Sequence, residues 1–481
     1  MEGGGPAPAP EVPIVLVPGF LGDDTHWHIR TVRRQFPRHR FLTTKPGPMS
    51  SHHDRACEVF YSLKGGRVDY GEAHARRCGH GRYGREHQAL FTEWSADKPI
   101  DCVGHSIGGM TIRVLQQLLE DRAFPGYETS AAWIRSITAL ASPLNGDPVV
   151  FGLGARLPPW TAPPRECCAC TRRCASPARA QLHPIATPTS AAAPTPPTES
   201  MDVKLFSYGW LLTQLIHILS WLDVSAINRR LDLRLDHWHL SRHEASFLSS
   251  LCSLVRALTW RGSVGQGVDN AAYEVQPSVS CELNRRLATH PATIYISFAA
   301  SRPPTLHGLP QVVRREASVP RQLGAIAREA AVCVFSWMLR VGASCQRDAA
   351  CEWVGYDPHE WRAHDGVLSV CGQAAPLGEA TSPLPDSLKP AALSTQTRCG
   401  GKGGDGSADA RLAVTPSTSE VCAREGLAPG IWHTMQLDVD HFSVCGGPLA
   451  SPPCIDAFWS MYVQMRDERF ISRRADGEVG V

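Results

Sequence analysis

The sequence has no excess of charge of either sign. Its 48 Lys and Arg nearly cancel 46 Asp and Glu, leaving +2, so no overall field draws it to nucleic acid. The short cluster Arg33, Arg34, Arg38 and Arg40 reads as a solvated face. A basic start followed by an apolar core is also lacking ahead of the first strand-like run. Residues 1–11 therefore read as a flexible leader rather than a secretory signal, and an intracellular location is expected. The 17 cysteines fall without a paired framework over a large chain, which sets aside a small disulfide scaffold and favours mostly reduced thiols. There is no repeat at solenoid periods. Long apolar runs are scarce too: Leu205 to Leu222 is free of formal charge and nearly long enough to span a bilayer. Ser207, Thr213, Gln214, His217 and Ser220 within it would be costly against lipid tails, so a buried or lid helix is expected and no transmembrane anchor.

What is present is ordinary globular composition, 43% hydrophobic and 20% charged over 481 residues, enough to bury a sizeable core. Val12 to Val17 is short, β-branched and apolar, and breaks at Pro18-Gly19 as a buried strand should. Pro99 to Val103 repeats the pattern and is followed by Gly104 and a helical stretch, Met110 to Glu120. Ile134 to Leu140 and Thr293 to Phe298 are further strands. Apolar strands separated by helical stretches predict an α/β fold, a mostly parallel central sheet with helices on both faces. Residues 157–200 and 375–425 are rich in Pro, Gly, Ser, Thr and Ala without a period able to bury a face, and read as disordered insertions.

Between the second strand and its helix stands Gly104-His105-Ser106-Ile107-Gly108, a G-x-S-x-G in the strand-turn-helix context that gives it meaning. Small residues on either side let a strained turn lift the Ser106 hydroxyl clear of the sheet, and the following helix N-terminus favours a developing oxyanion. A second amide is needed from the loop after an early strand, and Pro18-Gly19-Phe20-Leu21-Gly22 is placed to give it. Phe20 and Ile107 are the candidate oxyanion donors.

A longer string, Asp54-Arg55-Ala56-Cys57-Glu58, Gly65-Gly66, Val68-Asp69-Tyr70-Gly71, Ala73-His74, Gly79-His80, Gly84 and Arg85, is far more specific than the serine motif. On it the chain resembles the bacterial thermoalkalophilic lipases, α/β-hydrolases with a zinc-bearing extra subdomain. The resemblance covers most of residues 12 to 155, returns at Leu235-Asp236 and Tyr273 to Phe298, and closes with Trp361 to Val367 and Gly430 to His441. It implies one α/β-hydrolase domain over 12–481, with a zinc subdomain around 43–90 and 230–240 and a lid over 201–230.

Twenty histidines defeat any bare choice of base, but the triad of this fold runs Ser, acid, His along the chain. The resemblance nominates Asp365, from Trp361 to Val367, and His441, from Val439-Asp440-His441. Two departures accompany it: Pro18 stands where relatives commonly have His, and His364 where they carry Asn. It also implies a structural zinc held by Asp54, His74, His80 and Asp236, a closed set of two imidazoles and two carboxylates. Cys57 and Cys78 are substitutes for any one of them. The family's calcium site is not carried over, because Phe442 to Pro448 lacks its carboxylates.

The expected activity is that of a carboxylic ester hydrolase, a triacylglycerol lipase or esterase working through an acyl-enzyme on Ser106 at a lipid-water interface. Two other classes stay open: a catalytically silent lipid-binding or scaffolding descendant, and a zinc-dependent hydrolase with an open metal position.

Overall fold

The computed structural model describes residues 12–22, 27–155, 203–222, 232–238, 247–259, 267–301, 333–339, 360–390, 426–443 and 452–470, with positions 330, 341, 393 and 445 beside them. The leader and the 157–200 insertion lie outside the described residues.

Four short apolar segments become adjacent strands: β1 (Ile14–Val17), β5 (Ile100–His105), β6 (Ile134–Leu140) and β7 (Ile294–Ala300). β1, β5 and β7 are buried along their whole length and β6 at all but Arg135. That is why their sequences run apolar without alternating: each has both faces covered. Outside them lie β2 (Phe41–Thr43) on one edge, and β9 (Trp432–Leu437) then β8 (Thr381–Pro383) on the other, in the order β2-β1-β5-β6-β7-β9-β8. Every pairing in this seven-stranded sheet is parallel. All seven C-terminal strand ends therefore meet at one edge, where ligands bind in open α/β sheets.

β8 corrects the expectation of disorder over 375–425. Residues 375–390 are ordered, and Thr381 pairs with Trp432 at the margin of the sheet. A three-residue edge strand needs no buried periodic face and tolerates Pro383, so the composition that argued against structure misled.

Helices cover both faces. α1 (Ile29–Gln35), α2 (His52–Lys64), α3 (Glu72–Cys78) and α4 (Ile107–Glu120) come first, followed by α5 (Val149–Gly152) and α6 (Tyr208–Leu222). After these come α7 (Phe247–Leu258), α8 (Ala271–Glu274), α9 (Pro277–Arg286), α10 (Val370–Gln373) and α11 (Pro452–Arg469). Phe60, Met110, Leu115 and Phe124 pack one side of the sheet under α2 and α4. Trp27, Phe298, Phe458, Trp459 and Tyr462 pack the other under α11. β3 (Gly66–Asp69) and β4 (Tyr83–His87) form a separate antiparallel pair beside α2 and α3. No described helix is long and apolar enough to cross a membrane.

Candidate active site and metal centre

The chain leaves β5 at His105 and enters α4 at Ile107, so Ser106 must make the whole turn. It does so at φ 53°, ψ −130°, a region costly for a residue with a side chain and found where surrounding structure imposes it. The turn is feasible because its flanks are bare. A Cβ on Gly104 would lie 2.4 Å from the Gly108 carbonyl carbon. One on Gly19, in the loop after β1, would lie 2.6 Å from Ser106 Cβ. The Pro18–Gly22 loop is thereby seated on Ser106. Among the described residues neither the Phe20 nor the Ile107 amide donates a hydrogen bond, whereas the Leu21 amide is spent on the Pro48 carbonyl at 3.2 Å.

Asp365 and His441 arrive from loops 76 residues apart and meet with Nδ1 to Oδ2 at 2.7 Å. Both are buried, Asp365 completely. The Asp365 carboxylate is fixed on all sides: Oδ1 accepts from the Val367 and Leu368 amides at 2.9 and 2.7 Å, and Oδ2 accepts from Gln373 Nε2 at 3.0 Å. The His441 amide donates to the Asp365 carbonyl at 3.0 Å. His105, beside the nucleophile, packs its ring 4.7 Å from that of His441 and reaches the His441 carbonyl through Nε2 at 3.1 Å. Among the described residues Ser106 Oγ makes no hydrogen bond to His441, a contact that in substrate-free sites commonly tightens only when substrate binds. His364 accepts from the Gly366 amide through Nδ1 at 3.1 Å, closing the turn that carries the acid.

Gln373 carries no catalytic signature, and nothing in the sequence marks it. Its side chain ties the acid to the end of β7: Oε1 accepts from the Ala300 amide at 2.7 Å while Nε2 reaches the Ala300 carbonyl and Asp365. Gln373→Ala would free the acid and strand the buried Ala300 amide. It is expected to cost about 1–3 kcal/mol of stability and up to about a hundredfold in kcat with KM little changed. Urea melts beside steady-state kinetics would check both.

Away from this edge, a second cluster forms. Asp54 lies in the first turn of α2, whose N-cap Ser51 accepts from the Asp54 amide at 3.2 Å. His74 is on α3, and His80 follows Gly79, whose left-handed φ of 79° ends that helix. The fourth member is Asp269, just before α8, and here the ligand expectation is corrected. Asp236 is turned away, binding Arg85 Nε while Asp232 takes the two terminal nitrogens of that guanidinium, so its charge serves an arginine. His74 Nε2 lies 3.1 Å from Asp54 Oδ1 and 3.2 Å from Asp269 Oδ1. His80 Nε2 lies 3.1 Å from Asp269 Oδ2 and 3.7 Å from Asp54 Oδ2. The stretch of resemblance from Tyr273 to Phe298 does not include Asp269, which has no spacing signal of its own. Of the two cysteine substitutes, the Cys78 thiol lies near His74, 3.9 Å from Nδ1, and belongs to the group with His80 and Asp269. Cys57 is buried in the apolar core instead, and burial pushes its thiol up.

These residues fit a cation. Asp54 Oδ1 and Oδ2, His74 Nε2, His80 Nε2 and Asp269 Oδ2 are all buried without a hydrogen-bond partner, which a native interior does not leave uncompensated. Bonds of about 2.0–2.1 Å to one tetrahedral ion would set its ligand atoms about 3.3 Å apart, close to the separations observed. Burial would lower both imidazoles, yet the facing carboxylates outweigh it and hold His74 at about 12 and His80 at about 10. Asp269 is correspondingly held well below the usual carboxylate range. Two protons thus neutralise two carboxylates, and a divalent ion would replace them.

Comparison with known proteins places the chain beside lipases. Residues 43–150 match the family described as "Lipase-like, C-terminal domain". Over 162 residues the chain is 34% identical to the lipase of Staphylococcus hyicus, covering 28% of this chain and 25% of that protein. It is 23% identical to lipase 1 of Staphylococcus aureus (strain MRSA252) over 394 residues, covering 78% of this chain and 48% of that one. The chain thus spans less than half the length of these curated relatives. The crystal structure of Staphylococcus hyicus lipase superposes with a TM-score of 0.56 at 17% identity, covering 97% of both chains.

Proposed function

We propose that this chain is a serine carboxylic ester hydrolase of the lipase kind, built on the fold it shares with Staphylococcus hyicus lipase. The observation that carries the reading is the buried Asp365–His441 pair, 2.7 Å apart, beside a serine held on a strained turn at the C-terminal edge of the sheet. In this reading Ser106 Oγ attacks the ester carbonyl as His441 takes its proton. The Phe20 and Ile107 amides receive the oxyanion, and His441 returns the proton to the leaving alcohol. Water then repeats the sequence to free the acid. Asp365 holds the Nδ1–H tautomer and stabilises the imidazolium.

The metal in this proposal is zinc, bound by Asp54, His74, His80 and Asp269, where it would supply folding energy to the subdomain. With all four residues buried, no substrate reaches that site, which disfavours the zinc-dependent hydrolase. Helix α6 would serve as the lid. It leaves Tyr208, Leu211, Leu215, Ile218 and Leu222 exposed while burying Ile216 and His217, a surface suited to a lipid-water interface. On the same helix Trp210 is half-buried and Trp221 is held to Ser250 through Nε1 at 2.7 Å.

A fluorescent alkyl phosphonate tests the reading. It should label the folded protein one-to-one on the peptide containing Ser106, and esters of graded chain length should be hydrolysed with a preference that separates lipase from esterase. A folded protein that neither labels nor hydrolyses would instead be the silent lipid-binding descendant. Brief chelation should spare initial activity while lowering the melting temperature, because a ligand that binds only the folded state stabilises it.

A further inference from the structure

The four proposed ligands are Asp54, His74, His80 and Asp269, and a fifth residue with an unpartnered buried donor atom stands beside them. His237 belongs to the turn Asp236–Trp238, which is pinned to the His80 loop by the Gly81 amide donating to the His237 carbonyl at 2.7 Å. Its imidazole is buried, and Nε2 lies 3.2 Å from Asp54 Oδ2 with no hydrogen-bond partner. Asp54, His80 and His237 thus form one compact set of donor atoms.

The other side of the ring shows which nitrogen is free. Tyr70 Oη donates to Glu58 Oε1 at 2.8 Å. Having given its proton to the carboxylate, the phenol can only accept from His237 Nδ1, 3.5 Å away. Nδ1 therefore carries the proton and Nε2 presents its lone pair toward Asp54. His80 is arranged alike, with Nδ1 donating to the Gly81 carbonyl at 2.8 Å. Metal-ligating imidazoles are oriented in this way, by a hydrogen bond from the nitrogen that does not bind.

We infer that His237 is a fifth ligand of the divalent cation, held in the ligating tautomer by the Glu58–Tyr70 pair, so that this centre is five-coordinate. The inference rests on the metal reading of the cluster. Its physical consequence is a site of two carboxylates and three imidazoles, each giving one donor atom, with the Asp54 carboxylate lying between His74 and His237.

The test uses the full chain stripped and reloaded with Co(II), whose visible absorption is weak in five-coordination and intense in tetrahedral four-coordination. The wild-type protein should show the weak spectrum. His237→Gln should show the intense one and bind Zn(II) about ten- to a hundredfold more weakly in chelator competition. Tyr70→Phe should weaken binding in the same direction but less. Metal-free His237→Gln should melt with metal-free wild type, which assigns the loss to coordination. A tetrahedral spectrum in the wild type overturns the inference whether or not the variant folds, and so does a His237→Gln protein with unchanged spectrum and affinity. If the wild-type chain binds neither ion, the structural-metal reading falls with it; if it binds both and only the His237 results fail, that reading stands.

Discussion

Ser106→Ala is expected to lower kcat for ester hydrolysis by about four to six orders of magnitude while leaving the folded protein nearly unchanged. The size follows from how a triad works: removing the nucleophile costs about as much as removing all three members, because none acts alone. The small structural effect follows from the geometry. Ser106 Oγ makes no hydrogen bond among the described residues, and alanine meets the same penalty as serine at φ 53°. Ser106→Gly makes the complementary measurement. It should be equally inactive yet more stable by about 0.5–1 kcal/mol in urea melts, because glycine alone adopts this backbone without steric cost. If Ser106→Ala kept wild-type turnover, the nucleophile would be another group; if Ser106→Gly gained no stability, the elbow would not be strained.

How far these features were legible in the sequence depended on whether a local pattern carried them. The four central strands read correctly because burial on both faces writes itself as an apolar run. The elbow was legible because Gly104 and Gly108 face each other across a turn only four residues long, although Gly108 is also required by the Val17 carbonyl of a distant strand. Asp365 and His441 could be chosen only through resemblance, since their partnership spans 76 residues. Asp269 was missed for the same reason: a carboxylate that meets its imidazoles across nearly 200 residues leaves no spacing to find. Asp236 took its place because it stands beside His237. The segment does enter the cluster, but through His237, while Asp236 compensates Arg85. Gln373 was silent because a glutamine that positions an acid looks like any other glutamine until its partners are known.

Arg55 illustrates the same point with the largest expected effect on stability. It lies in the string that carried the resemblance, yet only the structure gives it work. The side chain is fully buried and its fork is used three times: Nε to Thr111 Oγ1 at 3.0 Å, one terminal nitrogen to the Gly47 carbonyl and the other to the Pro18 carbonyl. Thr111 in turn donates to the Ile107 carbonyl at 2.9 Å. One guanidinium therefore registers the loop that offers the Phe20 amide against the helix turn that offers the Ile107 amide. Burial lowers Arg55 only to about 10, so the charge persists at neutral pH and compensates the buried Glu58 nearby. Arg55→Met should cost about 3–5 kcal/mol, since it leaves buried acceptors and a buried carboxylate without their cation. It should also lower kcat by up to about a hundredfold with KM little changed, because the two oxyanion donors lose their mutual register. Arg55→Lys should fall between, keeping the charge but lacking the planar fork for three acceptors. A destabilised Arg55→Met whose folded fraction retains full kcat would make the arginine a packing residue alone. Asp54 and Arg55 are consecutive on α2, one facing His74 and His237 and the other the Pro18 carbonyl. Slow loss of activity after prolonged chelation should therefore appear first in kcat, as the first turn of α2 loosens and releases the Pro18 carbonyl.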